Sequence, residues 1–174
     1  MADLVERAGL YVLGLLRHAK SDYPADVSDH QRPLSDRGRR DAGVLGPLIT
    51  ARIGALDLAL VSDATRAQQT WDLAGTTASS QRDEPRIYEA TVNTLLNLIT
   101  GISGSIHTAV MVGHNPGFEA LAHQLAGEDS EPAAFAQLET KYPTCALAVL
   151  ESSAPFGQWA SEPVRLRSFD IARG

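Results

Sequence analysis

Three short apolar runs set the frame of the chain: LYVLGLL at 10–16, LDLALV at 56–61 and TAVMV at 108–112. Runs this brief and this apolar predict strands buried on both faces. The first extends to about residue 17. Stretches of helical spacing lie between the runs. Pro33-Leu34-Ser35 opens one, with Ser35 as N-cap, Asp36 in the first turn, Leu45, Leu48 and Ile49 as its apolar face, and an end near Gly54. A second begins just after Ser62-Asp63 and carries Trp71 and Leu73. A third is capped by Thr91 and carries Leu95, Leu96, Leu98 and Ile99, and a fourth covers 116–126. Segment 75–85, rich in Gly, Thr, Ser and Asp, reads as a loop, and Arg86-Ile87-Tyr88 as a short strand. Residues 127–143 form a polar excursion with little pattern. Residues 145–150 and 164–169 read as closing strands, a meander at one edge of the sheet. Strands alternating with helices predict an α/β fold with a largely parallel sheet. No linker or repeat divides the 174 residues, so one domain is expected, with 1–9 as a short tail.

Composition narrows the possible partners. The hydrophobic fraction of 44% and charged fraction of 21% are those of an ordinary globular protein, and the net charge of −6 argues against a nucleic-acid binder. Any basic site is therefore local, set into an acidic surface. The charged N-terminus has no apolar leader pattern and no run reaches membrane-spanning length, so a cytoplasmic protein with no membrane partner is expected. Cys145 is the only cysteine and lies in an apolar stretch, which predicts a buried structural thiol.

The chemistry gathers where the three core strands end. The first runs into Arg17-His18, the second into Ser62-Asp63-Ala64-Thr65-Arg66 and the third into Gly113-His114-Asn115-Pro116-Gly117. Parallel strands aim their C-terminal ends at one edge, where open α/β sheets hold ligands. Helices beginning there add backbone N–H groups and positive dipole ends. Two arginines and two histidines at such an edge suit a dianion, and arginine forks can hold phosphate oxygens in pairs.

Arg17-His18-Ala19-Lys20-Ser21-Asp22, the segment from Ser62 to Thr70, and Val112-Gly113-His114-Asn115-Pro116-Gly117 together resemble the histidine phosphatase superfamily. They are most similar to its small branch, the SixA-type phosphohistidine phosphatases. The Arg32-Pro33-Leu34-Ser35 helix opening and Tyr88-Glu89-Ala90 fit as well. The resemblance covers roughly 10–125 and implies a three-layer α/β/α, phosphoglycerate mutase-like fold. It further implies a phosphohydrolase that works through a phosphohistidine intermediate without metal or other cofactor. His18 would be the nucleophile, Arg17, Arg66 and His114 would bind the phosphoryl group with Asn115 beside them, and Glu89 would stand at the proton donor's position. Two departures are noted. Ala19 replaces a glycine, and Asp63 stands where serine is more usual, an extra carboxylate that would weaken anion binding.

A neutral imidazole is needed for attack, and nearby guanidiniums would lower the pKa of His18. The short run from Glu89 to His114 leaves no material for the long inserted segments of phosphoglycerate mutases. An open pocket is therefore expected, which favours phosphohistidine on a protein. The alternatives are a small phosphorylated molecule as substrate on the same scaffold, or a phospho-binding module without catalysis; the oligomeric state stays open. Plainer readings stand beside several residues. Glu89 can serve as a helix-start carboxylate, and Lys20 with Asp22 as an exposed loop pair. Asp26, Asp29 and His30 read as a solvated loop in preference to a metal site. Arg37, Arg39 and Arg40 read as a solvated helix face, Arg37 being a weak candidate for the pocket rim. His107 and His123 lie outside the motifs.

Overall fold

A computed structural model describes residues 9–174; the expected N-terminal tail lies outside these except for Gly9. The strands are β1 (Tyr11–Arg17), β2 (Leu56–Val61), β3 (Ala78–Asp83), β4 (Thr108–Gly113), β5 (Ala146–Ser152) and β6 (Arg165–Ile171). The helices are α1 (Asp36–Gly43), α2 (Leu45–Arg52), α3 (Thr65–Ala74), α4 (Val92–Thr100), α5 (Gly117–Leu125) and α6 (Pro132–Thr140). The strands form one sheet in the order β3-β2-β4-β1-β5-β6. The first four are mutually parallel, and β5 and β6 close the other edge as an antiparallel meander.

Each face of the sheet carries its own core. Leu13, Leu15, Leu58, Leu60 and Met111 pack against Leu95, Ile99, Phe118 and Leu121 of α4 and α5. Val12, Leu16, Val61, Val110 and Val112 pack against Leu45, Ile49 and Trp71 of α2 and α3. Alternate residues of one strand thus feed opposite layers, and the apolar runs are continuous because both faces are covered. The result is a three-layer α/β/α fold.

This layering positions the site. β1 and β4 are neighbours in parallel register, with Arg17 opposite Gly113. The chain leaving β1 crosses to the α1–α2 layer and the chain leaving β4 enters α5 on the other face. Their diverging loops open a crevice at the switch point. His18 N–H donates to Gly113 O at 3.0 Å and Ser62 N–H to Val112 O at 3.0 Å, so the three strand ends are level with one another. Gly113 must be glycine at this point, since a Cβ there would lie 2.5 Å from Ile87 and 2.6 Å from Phe118.

Four expectations need correction. Segment 75–85 contains β3, an edge strand exposed along nearly its whole length and polar in sequence, so no apolar pattern marked it. Residues 86–88 are not a strand; Pro85–Ile87 is a 3-10 turn capped by the Glu84 side chain, with only Ile87 buried. The helix expected from 33 to 54 breaks at Val44 into α1 and α2, because Pro47 has no N–H to continue a helix from Gly43. The polar excursion contains α6, which starts with Pro132 at its first turn and buries only Ala134 and Leu138. The predicted Ser35 cap is present, its side chain accepting from Gly38 N–H at 3.1 Å.

Candidate active site

The loop after β1 is held from three sides. Ala19 N–H donates to Thr70 Oγ1 of α3 at 2.9 Å. The Lys20 carbonyl accepts from both Ser35 N–H, at 2.9 Å, and Ser35 Oγ, at 3.0 Å. Gly38 packs so closely that a Cβ would lie 2.0 Å from Lys20 O. Ala19 is fully buried and its φ is negative, so the alanine in place of glycine costs the backbone nothing.

His18 is fixed by this anchoring. Its Nδ1 lies 2.6 Å from Ala19 O. A carbonyl can only accept, so Nδ1 carries the hydrogen and Nε2 keeps its lone pair. Arg66 Nε donates toward that lone pair at 3.3 Å. His18 is 8% exposed and His114 is 7%, with ring centroids 5.1 Å apart. Burial, and after it the charges of Arg66, Arg17 and Arg32, push the pKa of His18 down to about 3. Burial thus does more than the expected charge repulsion. His114 is also pushed down to about 3, by burial, then by His18 and Arg66. It is a neutral group at ordinary pH and can contribute a hydrogen bond rather than a charge. Its Nε2 lies 2.8 Å from Ser62 Oγ, and its buried Nδ1 has no hydrogen-bond partner.

Arg17, His18, Arg66, His114 and Asn115 line one pocket of about 210 Å³, together with Lys20, Ser21, Tyr23, Arg32 and Thr144. Arg17 Nη1 donates to Tyr142 O at 2.6 Å, which leaves its buried Nε unpaired. Asn115 Nδ2 donates to the same carbonyl at 3.1 Å and to Glu119 Oε2 at 2.8 Å. The lining cations Arg17, Lys20, Arg32 and Arg66 create a strongly positive pocket in an acidic protein.

Lys20, expected from the sequence to be half of an exposed loop pair, is one of these cations. Arg32, in the sequence simply part of a helix opening, is another. Its guanidinium lies 3.6 Å over the ring of Tyr23, donates to Asp29 Oδ1 at 2.6 Å and bonds Ser21 Oγ. Asp29 also escaped the sequence reading as a site residue. Its carboxylate accepts from Arg66 Nη2 at 3.1 Å and Tyr88 Oη at 2.7 Å, while its carbonyl accepts from Arg66 Nη1 at 2.6 Å. The Tyr88 hydrogen bond, joined by the neighbouring Arg66 and Arg32 against the cost of burial, holds the Asp29 carboxyl at about 2. No sequence signal marks these partners, which come together only when the 21–32 loop folds over the sheet edge. Ser21, Tyr23 and Arg32 of that loop line the pocket.

Glu89 does not line the cation-ringed pocket. It is exposed, in a left-handed conformation with φ of 51°, on an adjoining cavity of about 550 Å³ that shares Arg66, His114 and Asn115 with the pocket. Asp63 lines neither cavity, and its carboxylate is bonded to His30 Nε2 at 2.9 Å. Arg37 lies 3.5 Å from Asp41 on its own helix and not on the pocket rim. Cys145 is buried, with burial pushing its thiol up to about 12. Among the described residues no three His, Cys, Asp or Glu side chains form a metal-ligand group, and no helix is long and apolar enough to cross a membrane.

A cation-lined crevice at the switch point of a doubly wound sheet, with a neutral imidazole at its base, defines an α/β protein built to hold a phosphoryl-like anion. The chain belongs to the histidine phosphatase superfamily (branch 1), whose sequence profile matches residues 13–100. It is 40% identical over 146 residues to an uncharacterized protein of Mycobacterium tuberculosis, covering 83% of this chain and 90% of that protein. Among solved structures it resembles the putative phosphohistidine phosphatase SixA from Nakamurella multipartitia, with TM-score 0.84, 26% identity and coverage of 94% of this chain and 96% of that one. It also resembles the putative phosphohistidine phosphatase SixA from Agrobacterium tumefaciens, with TM-score 0.75, 30% identity and coverage of 92% and 97%.

Proposed function

We propose that the chain is a phosphohydrolase that transfers a phosphoryl group to Nε2 of His18 and then to water, with phosphohistidine on a protein as its substrate. The observation that carries the reading is His18 itself: a buried, neutral imidazole with a committed Nδ1 hydrogen and an Nε2 lone pair met by the Arg66 guanidinium, in a pocket with four cations. A lone pair held this way suits a nucleophile, and a covalent intermediate splits one hard displacement into two easier ones. It weighs against a module that only binds phosphate.

The surrounding groups have distinct tasks. Arg66 Nε, now directed at His18 Nε2, turns to a phosphoryl oxygen as the new N–P bond forms. Arg17 brings its unpaired Nε, and Arg32 and Lys20 add charge around the equatorial oxygens. Ser62 Oγ accepts from Ala64 N–H at 3.3 Å and has its own hydrogen for His114 Nε2. That tautomer leaves His114 Nδ1–H as a neutral donor to the transferring group. Similarity to proteins described as putative phosphohistidine phosphatases supports the choice of substrate. So does the lack of a long covering segment between Glu89 and His114.

The test is trapping. Incubation with a phosphohistidine-bearing protein followed by acid-free peptide mapping should place the label on His18, and His18→Ala should neither take up label nor turn over substrate. Label on another residue, or full turnover by the alanine variant, overturns the mechanism.

A further inference from the structure

The larger cavity differs in chemistry from the phosphate pocket it adjoins. The pocket is ringed by cations, whereas the cavity has Ala90, Val92, Pro116 and Ala120 among its lining residues. Its titratable and charged walls are Asp29, Arg66, Tyr88, Glu89 and His114. Arg66 and Tyr88 are already bonded to Asp29, which is itself paired with Arg32. Among the described residues Glu89 has no hydrogen-bond or ion-pair partner, and its left-handed backbone is one that a non-glycine residue adopts at a cost. The uncommitted charge on the cavity is therefore a carboxylate. Asn115 is shared by both spaces, and its side-chain oxygen is buried without a partner. Its amide nitrogen is committed to two pure acceptors, Glu119 and the Tyr142 carbonyl, so its unpaired oxygen is oriented as Oδ1.

We propose that this cavity is the leaving-group subsite and that it is built for a cationic nitrogen leaving group, the protonated ring of an N-phosphorylated imidazole, with Glu89 as its anionic partner rather than a proton donor. The proposal rests on the phosphohydrolase reading above and assigns the substrate side of that site. The chemistry balances without a donor. His18 Nε2 gives its lone pair to phosphorus, the bond from phosphorus to the substrate ring nitrogen breaks, and the electron pair stays on that nitrogen. The substrate ring keeps the hydrogen on its other nitrogen and departs as neutral imidazole. His18, still carrying its Nδ1 hydrogen, becomes the phosphorylated imidazolium. The positive charge passes from one ring to the other, and the leaving atom takes up no proton. What the substrate needs is an acceptor that keeps its remote nitrogen protonated, and the cavity supplies one. A hydroxyl-rich sugar phosphate would find apolar side chains there and few donors.

The experiment compares two phosphoryl donors on the whole protein: phosphoramidate, whose leaving group is ammonia-sized, and a phosphohistidine peptide. The readout is the ratio of their kcat/KM values for His18 phosphorylation. Glu89→Gln removes the charge, and Ala120→Phe, at an exposed position of α5, fills the cavity. Each should lower the peptide-to-phosphoramidate ratio about tenfold or more. A ratio unchanged in both variants overturns the subsite. Loss of the ratio in Ala120→Phe but not in Glu89→Gln overturns the anionic-partner role. A wild-type protein that labels His18 from neither donor overturns the phosphohydrolase reading itself, and the subsite with it, an outcome distinct from the other two.

Discussion

His18 gives its Nδ1 hydrogen to the carbonyl oxygen of Ala19, its own neighbour in the chain, at 2.6 Å. The tautomer of the central imidazole is therefore set by local backbone geometry and needs no distant carboxylate. That geometry depends in turn on the anchoring of residues 19 and 20 to α3 and α1.

The ring should remain neutral well into acid. With burial as the leading cause and its pKa pushed down to about 3, His18 should show no titration between pH 8 and pH 5. Nitrogen-15 NMR of the ring should report the Nδ1–H form throughout. A midpoint near 6.5, the ordinary value for histidine, would show that the pocket does not exclude the proton.

The same shifts make stability depend on pH. His18 and His114 both bind protons near pH 6.5 when unfolded and near 3 when folded, so the unfolded state holds more protons between these values. Stability is then complete above about 6.5 and falls as pH drops through that window. At pH 5 the loss is about 2 kcal/mol for each histidine. Urea denaturation at pH 7 and pH 5 measures it, and His114→Asn should flatten the difference by roughly half.

Arg66 makes three kinds of contact at once, to His18 Nε2, the Asp29 carbonyl and the Asp29 carboxylate. Lysine has one point charge and no fork to divide among them. Arg66→Lys should reduce kcat/KM by about 10²–10³-fold, the scale seen when one preorganised donor is lost, while far-ultraviolet circular dichroism stays unchanged. A loss under threefold would show that charge alone suffices.

Asp29 competes for the guanidiniums that the phosphoryl group requires. Asp29→Asn removes one negative charge beside the pocket and should tighten binding of inorganic phosphate or vanadate by roughly three- to tenfold, on the order of 1 kcal/mol at high effective dielectric. Weaker binding would mean that the carboxylate serves to hold Arg66 in place.

Gly38→Ala would press a Cβ onto the Lys20 carbonyl. Forcing α1 away from the loop should cost about 1–3 kcal/mol and lower turnover as well, because the displaced loop carries the Ala19 carbonyl. Thermal melting and kinetics on one sample check both. Lost stability with intact turnover would separate the helix contact from the site.

The strand-end motifs made much of this site legible. Arg17, His18, Arg66 and His114 could be brought together on paper because parallel apolar strands have one common edge, and the register of β1 with β4 realises that. Asp29, Arg32 and Tyr88 were not legible as a group. They meet through a loop with no periodicity, where nothing in the order of residues says which side chain will reach across. β3 and α6 were missed for a related reason. An exposed edge strand and a helix burying two residues leave almost no hydropathic trace.

The carbonyl oxygen of Tyr142 accepts from both Arg17 and Asn115, and β5 covers the edge of β1 that β4 leaves free. Every reacting group proposed here lies before residue 120, yet the site does not belong to that part of the chain alone. A fragment ending there would carry the full set of motifs on an unpaired apolar strand, open to self-association. The last third of the sequence, which contributes no reacting group, is the half of the vise against which the other half closes.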